Sequence, residues 1–245
     1  MTGCKKFLEI TPQTALSSAT FFTKESDFQQ AVNGAYAPLR NIVNDRAWIL
    51  GEMHSDNTYY PRNILFGAVD GTENVADFAV PTANGVTTNG NVLNQYRLDD
   101  RRISRAKQIL TTIDPVDFNA DSKNNLKGQA LLIRAYAYLE LVQYFGKVPL
   151  HLTPVSNRAE AALPLTSEDS IYNQIIKDAN EASTLLPLKS KQEPGRLTSG
   201  AAKMVLANVY MVQKMMAHST VVVTLKYLRS LGEFNMDELK AAAPV

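Results

Sequence analysis

GQALLIRAYAYLELVQYFGKVPL, residues 128–150, is apolar around almost the whole circumference of a helix, yet it carries an arginine, Arg134, on what should be its most buried side. A helix that is hydrophobic all round must be enclosed by neighbours. At 3.6 residues per turn, Gln129, Glu140 and Gln143 fall into one narrow polar stripe, and Arg134 lies opposite it among Leu131, Ala135, Tyr138 and Val142. An interior guanidinium is costly unless an acid and further acceptors meet it. In the next amphipathic segment Asp178 stands on the flank of the face made by Ile171, Ala182 and Leu185. The expectation is an Arg134 to Asp178 ion pair that clamps two adjacent helices.

Working outward, apolar residues recur at helical spacing on both sides. Phe28, Val32, Ala35, Tyr36, Leu39 and Val43 mark a first helix, with Thr23 ahead of them as its N-cap. Ile103, Ala106, Ile109, Leu110 and Ile113 mark a second, ended before Pro115. The quoted stretch is the third. A fourth follows Pro164, capped by Thr166 or Ser167, and stops at Pro187. A fifth is entered at Thr198 and carries Ala202, Leu206, Val209 and Met216 on one side, with small residues at Ala201 and Ala207 that let helices approach closely. Between the first two, from Gly51 to about Asp100, the periodicity dissolves into Asn, Gly, Thr and Asp. The expected fold class is therefore mainly α, with tetratricopeptide-like helical hairpins winding as an α-α superhelix and one long irregular loop insertion.

Composition narrows the function classes. The 245 residues carry 25 Lys+Arg against 24 Asp+Glu, so no basic field attracts nucleic acid. The single cysteine, Cys4, excludes an internal disulfide framework or a cysteine-rich zinc site. The histidines His54, His151 and His218 are scattered, and no nucleophile elbow, metalloprotease helix or phosphate loop is present. The reading is no catalytic residue, no metal and no cofactor. Thr2-Gly3-Cys4 has the form of the end of a bacterial lipoprotein signal, which would make Cys4 an acylated residue and the lipid the only contact with a membrane; the alternative, which these residues alone favour, is that Met1 is the start and Cys4 a surface thiol.

RAYAYLELVQYFGKVPL, then PLTSEDSIYNQIIKDANEASTLLP and GRLTSGAAKMVLANVYM, together resemble the core of the SusD/RagB family of bacterial surface lipoproteins. CKKFLEITPQT, FFTKESDFQQAVNGAYAPLR, EMHSDN and ISRAKQIL fit the same pattern in the same order. The resemblance implies a lipid-anchored protein on the exterior of the outer membrane that binds glycan, or sometimes peptide, without cleaving it. It also implies a SusC-like TonB-dependent transporter as partner. On this reading residues 1–15 form the anchor and lead, residues 16–245 form the helical half of the family fold, and the second half is absent. Such a half is expected to bind glycan weakly or not at all when alone.

Sugars present apolar ring faces and a rim of hydroxyls, so their sites combine aromatic rings with amides, carboxylates or guanidinium groups. Asp56, Asn57, Tyr59, Tyr60, Arg62, Asn84, Asn89 and Asn91 supply those types on the irregular stretch and are the candidate ligand contacts. Trp48, inside the apolar AWIL, reads as core. The alternative reading is a soluble tetratricopeptide-like adaptor that grips a partner protein or peptide. A glycan-processing enzyme is disfavoured because no carboxylate pair stands in a catalytic setting.

Overall fold

The computed structural model describes residues 21–41, 48–52 and 89–217. Among them five long helices follow in order: α1 Glu25–Asn41, α2 Gly90–Thr112, α3 Ala120–Phe145, α4 Glu168–Leu185 and α5 Ser199–Ala217. The only pairing outside helices among the described residues is a single antiparallel bridge between Val148 and Thr166. The chain divides into two compact units, one running to Ala130 with Leu152–Pro154, the other comprising Leu131–His151 and the chain from Val155. The division falls within α3.

In the first unit α1 packs on α2, burying Phe28, Val32 and Ala35 against a face that carries Leu98, Ile103, Ala106, Ile109 and Ile113. Thr23 does not cap α1 in the expected way. The Asp27 carboxylate reaches back instead, accepting from the Thr23 N–H at 3.1 Å, the Thr23 hydroxyl at 3.1 Å and the Lys24 N–H at 3.2 Å. A carboxylate accepts all three, and sits favourably at a helix start, whereas one hydroxyl can serve a single helical N–H. The Thr23 N–H bond in particular holds Asp27 below its usual pKa.

The second helix begins at Gly90, about three and a half turns before Ile103, the first of the residues that announced it, so the irregular stretch ends well before Asp100. Its first half is polar, and several of the polar residues, Gln95, Asp99 and Arg102, are buried, so apolar periodicity could not reveal it. Likewise α3 starts at Ala120, not near Gly128, because Asn119 caps it, its Oδ1 accepting from the Ser122 N–H at 3.0 Å.

Pro38 lies inside α1. Without an N–H it leaves the carbonyl of Gly34, four residues earlier, with no helical donor. Arg105 on α2 supplies one, its Nη1 donating to the Gly34 oxygen. We therefore expect Arg105→Met to cost about 1 kcal/mol, and much less in a Pro38→Ala background, where the restored N–H serves Gly34. A double-mutant cycle read by urea unfolding checks this; purely additive effects would disprove the repair.

In the second unit α4 packs on α5. The Ser199 N–H bonds the Pro187 carbonyl at 3.0 Å, tying the end of one helix to the start of the other, so the pair runs antiparallel as a hairpin. Ser167 caps α4 through its hydroxyl at 3.3 Å from the Ser170 N–H, and Thr198 holds the Ala201 N–H at 3.3 Å. Ile171, Ile175, Ala179 and Ala182 of α4, and Ala202, Leu206 and Val209 of α5, are fully buried. The third helix closes at Gly146, whose φ of +65° lies in the left-handed region that suits glycine at a helix end. Beyond it Tyr138 straps the chain back, its hydroxyl donating to the His151 carbonyl at 3.0 Å and accepting the His151 N–H at 2.7 Å.

Candidate functional site

Of the candidate ligand contacts, Asp56, Asn57, Tyr59, Tyr60, Arg62 and Asn84 lie outside the described residues, as do Cys4 and His54. Asn89 and Asn91 open α2. The Asn89 Oδ1 accepts from the Asn91 N–H at 3.0 Å and the Val92 N–H at 3.2 Å, so this oxygen is engaged in capping the helix. Asn89 is buried, while Asn91 on the first turn is partly open to solvent. The two therefore mark where the irregular stretch is fastened to a helix.

The structure brings Arg134 and Asp178 together. The guanidinium meets the carboxylate in a fork, Nε to Oδ2 at 2.7 Å and Nη2 to Oδ1 at 2.8 Å. Gln174, one turn before Asp178, donates to the same Oδ1 at 2.8 Å. Both charged side chains are enclosed, with 9% and 2% of their surfaces exposed. Two parallel charge-assisted bonds fix the rotation and height of α3 against α4.

A second enclosed polar group went unseen in the sequence. On α2 Asp99 pairs with the Nη2 of Arg102 and accepts from the Gln95 amide at 3.1 Å, with all three residues buried. The spacing Gln95, Asp99, Arg102 is the helical neighbour pattern that could have revealed it, had the segment been recognised as helix.

The polar stripe expected on α3 is not uniformly wet. Gln129 is buried, accepting from the Tyr36 hydroxyl at 2.9 Å and donating to Asn125 at 3.0 Å. From Gly128 to Val142 every residue is buried except Tyr136, which is 39% exposed. One and two turns further on stand Glu140, recessed at 8%, and Tyr144, 40% exposed, with Gln143 exposed beside them. Burial, and then the nearby Glu140 carboxylate, push the Tyr144 phenol above its usual pKa, which places that charge beside the ring. Tyrosine reads as apolar in a helical projection, which is why this ridge was not distinguished from core.

Among the described residues no cluster of His, Cys, Asp or Glu could hold a metal ion, and no helix is long and apolar enough to cross a membrane. A family model described as "Starch-binding associating with outer membrane" matches residues 6–211. "SusD-like protein P25" of Formosa agariphila is 26% identical over 225 residues, covering 86% of this chain and 41% of the relative. Among solved structures, a "Laminarin binding SusD-like protein" superposes with a TM-score of 0.68 at 23% identity, over 79% of this chain and 41% of the other. The "Surface glycan-binding protein A" of Bacteroides uniformis gives a TM-score of 0.68 at 24% identity, over 86% and 46%. These two structures share the fold. The chain spans about two-fifths of the length of the curated relatives it matches. The enclosed α3, its clamp to α4 and the α4–α5 hairpin as far as Met211 fall within the matched residues, and the chain belongs to the SusD-like family.

Proposed function

We propose that this chain is part of a glycan-binding protein of the bacterial outer membrane, one that captures polysaccharide or oligosaccharide at the cell exterior. It does so without chemistry and passes the sugar to a SusC-like TonB-dependent transporter. The observation that carries this reading is the match of residues 6–211 to a starch-binding, outer-membrane-associated family. The similar laminarin-binding and surface glycan-binding proteins support sugar as the ligand class. Asp56, Asn57, Tyr59, Tyr60, Arg62, Asn84 and Asn91 are the proposed contacts, and Asn89 fastens their segment to α2.

A sugar site needs several convergent groups held rigidly, and this chain spans about two-fifths of the length of its relatives. The 245-residue chain should therefore bind only weakly, with Kd on the order of 1 mM. Saturation-transfer NMR with maltoheptaose and laminarihexaose tests this. Transfer to the sugar, reduced by Asp56→Ala with Asn57→Ala and Tyr59→Ala, is expected, and no transfer to either sugar would remove glycan binding from this chain. Micromolar binding would instead mean that a complete site is already present.

Cys4 is the proposed point of acylation, because it follows Thr2-Gly3 and precedes a charged lead that spaces a domain from a membrane. More than one acyl chain on a residue anchors stably where a single chain is marginal. In the native host a palmitate analogue should label the protein, and equal labelling of Cys4→Ser would rule the anchor out.

A further inference from the structure

We propose that the ridge Tyr136, Glu140, Tyr144 on α3, with Gln143 at its side, is a glycan-contact strip separate from the irregular stretch. This rests on the reading that the protein binds sugar. The three ridge residues are spaced four apart, each a helical neighbour of the next, so the row turns by about 80° around the helix while the two tyrosines are separated by about 12 Å along the axis. The two tyrosine residues are 39% and 40% exposed on a helix that is otherwise enclosed through Val142, so the platform is backed by packed core. Tyr144 is braced edge-on by Phe145, with ring centroids 6.3 Å apart.

The chemistry of the strip matches a pyranose chain. Half-open phenol rings offer flat apolar faces with polar tips, to which the carbon-bound hydrogens of a sugar ring can be applied. Glu140, recessed between them in sequence, adds a carboxylate, a group with more than one acceptor site, and bonds to an ionised acceptor are the stronger kind. Gln143 adds an exposed amide that both donates and accepts. A protein partner fits less well. A stable protein interface takes about 800 Å² from each side, spread over about 20–30 residues, whereas this strip is one side chain wide and its central polar group is sunk below the rings.

The test uses the 245-residue chain with its ten tyrosines carrying ring carbon-13, the Tyr136 and Tyr144 signals being assigned through Tyr136→Phe and Tyr144→Phe. On titration with maltoheptaose or laminarihexaose both ring signals should shift along a saturating curve. The same shifts should persist in the Asp56→Ala, Asn57→Ala, Tyr59→Ala variant. Tyr136→Ala combined with Tyr144→Ala should weaken binding at the strip by about tenfold, the worth of an aromatic contact or two, while the double phenylalanine variant keeps the rings and most of the affinity. Ring signals that stay still while other protein signals saturate would overturn the strip and leave glycan binding standing. No response anywhere in the chain to either sugar would overturn both.

Discussion

Replacing Arg134 with methionine should lower the stability of the chain by about 3–5 kcal/mol, one of the two largest effects expected of a single substitution here. Methionine fills much of the space of the arginine stem but leaves Asp178 enclosed, with 2% of its side chain exposed, and holding only the Gln174 amide. The loss measures the stranded carboxylate more than the worth of the pair, because two ions taken out of water recover little beyond their desolvation. Hence the companion expectation that Arg134→Met with Asp178→Leu is far milder, within about 1–2 kcal/mol of the parent. Arg134→Lys should fall between, since an ammonium cannot fork across both carboxylate oxygens. Urea unfolding followed by circular dichroism reads all three. A double variant as unstable as Arg134→Met alone would show that the pair is more than a mutually satisfied clamp.

Phe28→Ala should cost a similar amount, about 3–5 kcal/mol, but through packing alone. Phe28 is fully buried, stacked on Phe118 with centroids 5.6 Å apart and tilted against Phe22 at 5.2 Å. Phe22 meets Phe21 edge-on at 4.9 Å, and the Lys123 ammonium lies 5.2 Å from the Phe118 ring centre. Removing the central ring opens a cavity and breaks two aromatic pairs at once, each worth about 0.5–1.5 kcal/mol beyond its buried area. Phe28→Leu retains most of the volume and should cost distinctly less. Trp48, the chain's single tryptophan, belongs to the same compact unit, so its fluorescence midpoint in urea should report the change. A midpoint unmoved by Phe28→Ala would mean that the aromatic stack does not hold this unit together.

How far the sequence could be read depended on what each helix buries. The fourth and fifth helices have apolar faces and hydroxyl caps in the expected places, and Ser167 and Thr198 perform as caps because a short side-chain oxygen at a helix start has few other uses. Arg134 could be matched to Asp178 because a lone cation on a dry face restricts its partners severely. The start of α2 was hidden for the opposite reason. Its buried residues, Gln95, Asp99 and Arg102, lie against one another, and a polarity pattern cannot distinguish a helix face that is polar and enclosed from one that is polar and wet. The tyrosine ridge escaped notice because a helical projection has no symbol for a ring that is half in and half out. Of the candidate ligand contacts read from the sequence, only Asn89 and Asn91 fall among the described residues, and the fold gives the Asn89 side-chain oxygen the work of a cap.

The bond from Arg105 to the Gly34 carbonyl joins positions 71 residues apart, across the segment between α1 and α2. The entropy lost in bringing two distant positions of a chain together grows only slowly with their separation, by about 0.6 kcal/mol for each doubling. The increment is smaller than the worth expected of that one guanidinium bond, and far smaller than that of the apolar face beneath it. The contacts between α1 and α2 therefore outweigh what any moderate change in the number of residues between Asn41 and Gly90 would cost in closure entropy. Distance along the chain costs this pairing little, and the two helices hold their register as partners close in space.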